Sequence, residues 1–163
     1  MSGLFAEEDQ ESRYFSRSDS DEPLGTHSPQ TFFLDDRDWP SVEHYYQAMK
    51  FDDTAVQEKI RQAATPQKAR KLGRTRFKKR RSNWQEIKTT VMTRALYIRC
   101  KTYPSVQSAL DQTGDLKLVE NSNYDYFWGC GRDRRGQNQY GKALMNVRQK
   151  LREEHSTAEK NQP

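Results

Sequence analysis

The stretch WPSVEHYYQAMKF, residues 39–51, decides how the chain is read. Pro40 closes the segment before it and Ser41 is a good N-cap, so a helix is expected from there through Lys50 or Phe51. Residues at i, i+4 and i+7 share one face of a helix. Glu43, Gln47 and Lys50 meet that spacing, with Tyr46 between them. Val42, Tyr45 and Met49 form a neighbouring apolar stripe that can anchor the helix in a core. The spacing is met by a solvent-facing polar stripe, and equally by an acid and an amine facing one cavity. In the second case the carboxylate can activate water or stabilise a developing cation. An amine held near apolar groups gains a lowered pKa and can attack C1 of a sugar as a nucleophile. The aromatic neighbours favour a pocket, because Tyr and Trp faces stack on planar bases.

Upstream, RYFSRSD can start with a short strand, and SDSDEPLGTHSPQ is turn-rich and reads as a loop. TFFLDDRDW reads as a short strand followed by a turn over Asp35–Asp38. Downstream, helices dominate. Asp53 or Thr54 caps one, and Thr65 with Pro66 opens another that Gly73 closes. Ser82 and Gln85 match a capping box before the longest helix, whose face is expected along Trp84, Ile87, Val91, Ala95 and Ile98. Ser105 caps a further helix ended by Gly114, LKLVE is a brief strand, and a last helix runs from Gln139 to Glu154 on Tyr140, Leu144, Val147 and Leu151. The fold class expected is mainly α: a single compact helical domain with a few short N-terminal strands. Its expected bounds are 13–154, after a flexible lead over 1–12 and before a fraying tail over 155–163.

The composition narrows the function. With 163 residues the chain suits one modest core. No apolar run approaches the ~20 residues of a membrane helix, and the N-terminus shows no secretory signal. Cys100 and Cys130 make no disulfide framework, and a reducing cytoplasm is the simpler reading. No Cys and His set has zinc spacing, so no metal is expected. The net charge is +5, and Lys68–Arg81 holds nine Lys or Arg and no acid. Such a block attracts phosphates, in nucleic acid or on a small ligand, or it is simply a solvated face.

The second polar peculiarity is DYFWGCGRDRRGQNQYG, residues 125–141. Gly129, Gly131, Gly136 and Gly141 allow close backbone approach. Trp128 offers a stacking surface, and Asn138 stands at the start of the last helix, where N–H groups favour anions. The loop can hold a phosphate, a ribose or a base, or it is an ordinary surface loop. It matches neither a phosphate-binding Walker loop nor a dinucleotide fingerprint, and no cofactor is expected.

The two stretches together resemble the YbiA-like family, also called the NADAR domain. The first matches W-P-[ST]-x-E-H-Y-[FY]-Q-A-x-K-F from Trp39 to Phe51. The second matches D-x-x-W-G-x-G-x-x-x-x-G-x-N-x-x-G-x-x-L-M-x-x-R through Asp125, Trp128, Gly129, Gly131, Gly136, Asn138, Gly141, Leu144, Met145 and Arg148. The likeness covers about residues 14–152, with ARKLGR and VMTRAL between the motifs. Two departures stand out. Gly25-Thr26 occupies the place of Ser-Asn in an S-N-F step, and Tyr140 replaces a Leu.

The resemblance implies hydrolysis of a ribose C1–N bond, with Glu43 and Lys50 as the functional acid and amine. Members are implicated in cleaving phosphoribosylamino-pyrimidine intermediates of riboflavin synthesis, and others in removing ADP-ribose from guanine. The implied substrate-binding residues are Trp39, Tyr46, Gln47, Arg74, Asp125, Trp128, Gly129, Asn138, Gly141 and Arg148. Trp128, with Trp39 or Tyr46, would stack on the base, and Arg74, Arg148 or Lys78 would hold phosphate. The partner is then a small phosphoribosyl or ADP-ribosyl substrate, with nucleic acid reached through the 68–81 block. A third reading, kept open by Gly25-Thr26, is a non-catalytic module that binds ADP-ribose or an NAD-derived ligand. The carboxylate and the amine are expected to converge on one hollow, closed by the Trp128 segment.

Overall fold

The computed structural model describes residues 11–163. The elements in chain order are β1 (Ser12–Phe15), β2 (Phe32–Leu34), β3 (Arg37–Trp39), α1 (Val42–Ala48), α2 (Thr54–Arg61), α3 (Pro66–Gly73), α4 (Trp84–Thr102), α5 (Pro104–Asp111), β4 (Lys117–Glu120) and α6 (Gln139–Lys160). The fold is mainly helical with a few short strands, as expected, and β4 forms within LKLVE, the stretch read as a brief strand. Of the lead expected over 1–12, all but the last two residues lie outside the described ones. Among the described residues no helix is long and apolar enough to cross a membrane.

The described residues pack as two compact units. Arg17–Gln107 is continuous in sequence, and the other unit joins Ser108–Pro163 to the residues before Arg17.

In the continuous unit, β2 and β3 form an antiparallel hairpin with Phe32 opposite Trp39 and Leu34 opposite Arg37. The turn is the pair Asp35-Asp36, with φ of 52° and 62°. Two consecutive left-handed residues are what a two-residue hairpin turn needs, and Asp tolerates that region better than most side chains. Arg37 and Asp38, expected in the turn, instead belong to the second strand, a correction to the sequence expectation. Inward-facing Trp39 donates its indole N–H to Leu34 O at 2.9 Å and meets Tyr45 edge-on at 5.2 Å.

Helix α1 is central to this unit and packs against α2, α3 and α4. Ser41 caps it by accepting the His44 N–H, Asp53 caps α2 and Thr65 caps α3. The expected capping box of α4 is absent. Asn83 is the N-cap residue and makes no side-chain cap bond. The buried face of α4 is also rotated from the one expected: Trp84 and Ala95 are buried with Met92, Leu96, Arg99 and Cys100, while Ile87, Val91 and Ile98 are only half-buried. A buried arginine on that face explains the misreading, since Arg99 counts as polar in any apolar periodicity. Its guanidinium donates to Gly25 O, and to Ser28 Oγ at 3.4 Å.

In the other unit, β1 and β4 pair in parallel, with Ser12 opposite Lys117 and Phe15 opposite Glu120. Helix α6 packs on β4 through the stripe Tyr140, Leu144, Val147 and Leu151, all buried. It continues to Lys160, past the expected end at Glu154. The approach of α6 to β4 requires a glycine. A Cβ on Gly141 would lie 2.0 Å from Leu118 O, a backbone atom that cannot swing away. Gly141→Ala should therefore cost about 3 kcal/mol or more, read as a drop in thermal midpoint. A midpoint within a degree of the parent would show that the helix and strand are not so closely apposed.

Candidate active site

The polar residues of α1 do not face solvent. Glu43, Gln47 and Lys50 are 2%, 3% and 7% exposed, which decides against a solvated stripe. Lys50 lies just beyond the helix rather than in its last turn, a correction to the expected helix end. The chain tightens there through Lys50 N–H to Gln47 O at 3.4 Å and Phe51 N–H to Ala48 O at 3.2 Å. Arg81 then fixes the Lys50 backbone. Its N–H donates to Lys50 O and its Nε–H to Met49 O, both at 2.7 Å, and its guanidinium pairs with Asp52 at 2.7 Å.

A buried carboxylate is costly unless paired and hydrogen-bonded. Glu43 is both. Arg70 Nε–H donates to Oε1 at 3.0 Å and an Nη2–H to Oε2 at 3.4 Å, while Gln47 Nε2–H donates to Oε1 at 2.7 Å. Burial by itself would raise the carboxyl pKa. The Arg70 charge and hydrogen bond, with help from Gln47, overcome it and hold Glu43 down at about 2. Glu43 is thus a fixed anion at neutral pH.

Lys50 is shifted by a different balance. Burial first, then the Arg80 charge, lower its amine from 10.5 to about 8, with Glu43 opposing and Arg74 and Arg70 adding to the shift. Its Nζ stands 5.4 Å from the centroid of the Tyr46 ring, which in turn packs on Trp84 at 5.2 Å. An amine in such a setting is a better nucleophile at neutral pH than a free lysine.

Arg70 and His27 belong to this cluster, and the sequence reading assigned neither. Arg70 was one cation within the 68–81 block, and nothing in a run of like charges marks the member that turns inward. Lys68, Lys71, Arg74, Arg76, Lys78, Lys79 and Arg80 of that block are exposed, and Phe77 among them is 96% exposed. His27 is 2% exposed, with Nδ1 3.8 Å from Glu43 Oε2. The Glu43 N–H also donates to Thr26 O at 3.1 Å, which ties the start of α1 to the 24–28 loop.

Gly73 has a role other than the helix stop read from the sequence. It is the last residue of α3, and its φ is not positive. A Cβ there would lie 2.0 Å from Gln47 Oε1 and 2.8 Å from Gln47 Cβ. The glycine makes room for the amide that supports Glu43. Gly73→Ala should push Gln47 aside, lower turnover about 10-fold or more, and cost about 1–3 kcal/mol. Unchanged turnover would show that Gln47 does not support the carboxylate.

The remaining expected site residues sort differently. Trp39 is fully buried in the core, so its ring is not a face for a base. Arg74 is exposed and acts on Lys50 by its charge. In the other unit, Asp125 Oδ1 accepts the N–H groups of Phe127 and Trp128 at 3.0 and 2.8 Å, shaping the loop itself. Trp128 is 6% exposed and packs edge-on against Phe127 at 4.9 Å. Gly129 leaves room for the Glu120 carboxylate, and Gly141 for Leu118 O. Asn138, at φ 50°, accepts the Glu120 N–H at 2.9 Å and donates to Leu118 O at 2.8 Å. It staples β4 to the start of α6, which corrects its reading as part of an anion site. Arg148 likewise bonds within its own unit: its Nη1 donates to Thr113 Oγ1 at 2.8 Å and to Leu116 O at 2.9 Å. Glu43, Tyr46, Gln47 and Lys50 are thus brought together in one unit, and the glycine-loop residues in the other.

The NADAR domain model matches residues 4–152. The chain is 43% identical over 128 residues to the N-glycosidase Npun_R5314 of Nostoc punctiforme, covering 77% of this chain and 82% of that one. It is 35% identical over 138 residues to the N-glycosidase YbiA of Escherichia coli, covering 85% and 86%. The solution structure of E. coli YbiA superposes with a TM-score of 0.80 at 34% identity, over 89% of this chain and 88% of that one. A riboflavin biosynthesis protein of Vibrio vulnificus is 41% identical over 115 residues, 71% of this chain but 31% of that longer one. Matches of this extent, across both motif segments and the helices between them, make the chain a member of the NADAR domain family.

Proposed function

We propose that this protein is an N-glycosidase that hydrolyses the ribose C1–N bond of phosphoribosylamino-pyrimidines, intermediates of riboflavin synthesis, in the cytoplasm. The observation that carries the reading is the pairing of a permanently ionised, fully buried Glu43 with a lysine whose amine is lowered toward neutrality. Relatives similar in sequence are named N-glycosidases, and one is named a riboflavin biosynthesis protein. Both cysteines are free thiols, which suits a reducing compartment.

Departure of the amine from C1 leaves positive charge on the ribose. Glu43 stabilises that charge, because an anion already fixed by Arg70 and Gln47 needs no reorganisation as the charge develops. Its Oε1 accepts from two donors and its pKa is far below neutral, so it does not shuttle protons. Lys50 in its neutral form attacks C1 and displaces the base, the proton its nitrogen sheds passing to the departing amine, and water then releases the sugar from the lysine. Arg74 and Arg80, whose charges bear on Lys50, bind the 5′-phosphate.

The test is incubation with a phosphoribosylamino-pyrimidine and detection of ribose 5-phosphate. Release of sugar supports the reading, and its absence together with retained ligand binding would favour a non-catalytic module. A second reading has its own observation: the exposed cations around Phe77 are a surface suited to a strand, and would present ADP-ribosylated guanine in nucleic acid. It predicts oligonucleotide affinity that falls steeply with salt and release of ADP-ribose from a modified guanine oligonucleotide.

A further inference from the structure

The two histidines beside the candidate site are bonded differently. His44 has both ring nitrogens occupied. Ser41 Oγ lies 2.7 Å from Nδ1, and Nε2 lies 2.9 Å from Ala63 O, so Nε2–H donates to the carbonyl and Nδ1 accepts from the hydroxyl. His44 therefore holds structure. His27 is equally buried, but only its Nδ1 is engaged, 3.0 Å from Thr26 Oγ1 and 3.8 Å from Glu43 Oε2. Nε2 has no hydrogen-bond partner among the described residues.

The placement of the proton follows from these contacts. A bare nitrogen lone pair facing the Glu43 anion is repelled, whereas an N–H there is attracted. Thr26 Oγ1 also donates to Arg17 O at 3.2 Å, leaving its oxygen to accept from Nδ1–H. Carboxylate and hydroxyl thus hold the imidazole in the Nδ1–H form, with Nε2 as its basic atom. The loop is held rigidly: the N–H groups of Thr26 and His27 both donate to Arg17 O, and Arg99 grips Gly25 O. Where the family pattern has the Phe of its S-N-F step, this chain has a titratable ring against its central carboxylate.

We propose that His27 is the base of the reaction: its Nε2 takes the proton from the water that attacks C1, while Glu43 stabilises the imidazolium formed. This rests on the N-glycosidase reading above. The water oxygen bonds to C1, the bond from C1 to the Lys50 nitrogen breaks, and the water proton passes through His27 to that departing nitrogen. No oxidant, metal or further reactant is required. The charged and titratable groups around the ring are Glu43, Arg70, Arg17 and His44. Burial, and the cations among them, keep His27 neutral down to about pH 4, so it enters the cycle as a free base.

The decisive experiment compares the intact protein with His27→Gln and His27→Phe in single-turnover mixing with a phosphoribosylamino-pyrimidine. Free base and free sugar are followed separately, and the adduct is trapped with borohydride, which reduces the imine formed when the ribose ring of the lysine adduct opens. The parent protein should release both together. The variants should release one equivalent of base quickly, accumulate trapped lysine adduct, and release sugar about 100-fold more slowly. His27→Phe restores the family residue and guards against loss of fold. Equal slowing of base and sugar without adduct would reduce His27 to a packing role and overturn the proposal, as would unchanged sugar release. Nitrogen-15 NMR of the imidazole gives a readout independent of turnover: a proton on Nδ1 supports the proposal and a proton on Nε2 overturns it. A parent protein that releases no sugar while its imidazole shows the Nδ1 proton would point to failure of the N-glycosidase reading rather than of the histidine geometry.

Discussion

Glu43→Gln should lower turnover by about 10²–10³-fold while substrate affinity changes little. The substitution keeps the shape of the side chain and one acceptor for Arg70, but removes the charge that answers the cation at C1. The Arg70 guanidinium then loses its counter-ion at 19% side-chain exposure, so the thermal midpoint should also fall. The two effects are separable because the charge also governs acid stability. Glu43 has a folded-state pKa of about 2 against an ordinary 4.5. A depressed folded value means that the stabilisation is present above 4.5 and is lost as pH falls toward 2, worth up to roughly 3 kcal/mol. In the Gln variant that part of the acid transition should vanish. Parental turnover in Glu43→Gln, with the acid transition changed as described, would remove the carboxylate from the chemistry while leaving it in the fold.

Lys50→Arg should abolish turnover, by about 10³-fold or more, because a guanidinium stays protonated at every accessible pH and cannot attack carbon. In the parent protein kcat/KM should rise with pH through about 8, where the lowered amine loses its proton. At pH 7 an amine of that pKa is neutral about a tenth of the time, against roughly one part in three thousand for an unperturbed lysine. The environment thus supplies a few-hundred-fold of reactive amine. The same shift has a cost. Below pH 8 the folded chain holds a cation in a place that disfavours it, and stability rises with pH between about 8 and 10.5 as the unfolded chain alone stays protonated. Lys50→Met should therefore be inactive yet melt at a higher temperature than the parent. A flat rate profile across pH 7–9, or an active arginine variant, would exclude the amine as nucleophile.

Much of this cluster could be read from WPSVEHYYQAMKF, because helical spacing places Glu43, Gln47 and Lys50 together whatever the rest of the chain does. Burial could not be read from it, since polar stripes of that spacing are met on solvated helices as well. What tips Glu43 inward is Arg70, twenty-seven positions away and hidden among like charges. The hairpin strand β3 escaped because its three residues include two charged ones, and its pairing depends on left-handed Asp35 and Asp36 rather than on apolar alternation. The second motif is less legible. Asp125, Asn138 and Arg148 carry ligand-binding side chains by type, yet each bonds to backbone or to a neighbour in its own unit, an arrangement that no spacing along the sequence specifies.

The pairing of β1 with β4 bears on how the chain matures. Ser12 and Lys117 are partners although more than a hundred positions separate them. The segment between them is largely the other unit, Arg17–Gln107, whose contacts are all available once it has emerged from the ribosome. During synthesis β1 must wait, an open strand edge, until β4 and the first turns of α6 are made. Closing so long a loop is slow, and the waiting edge is exposed to other chains. Arg13 within β1 and Lys117 at the mouth of β4 place positive charge on those edges, which discourages premature pairing between nascent copies.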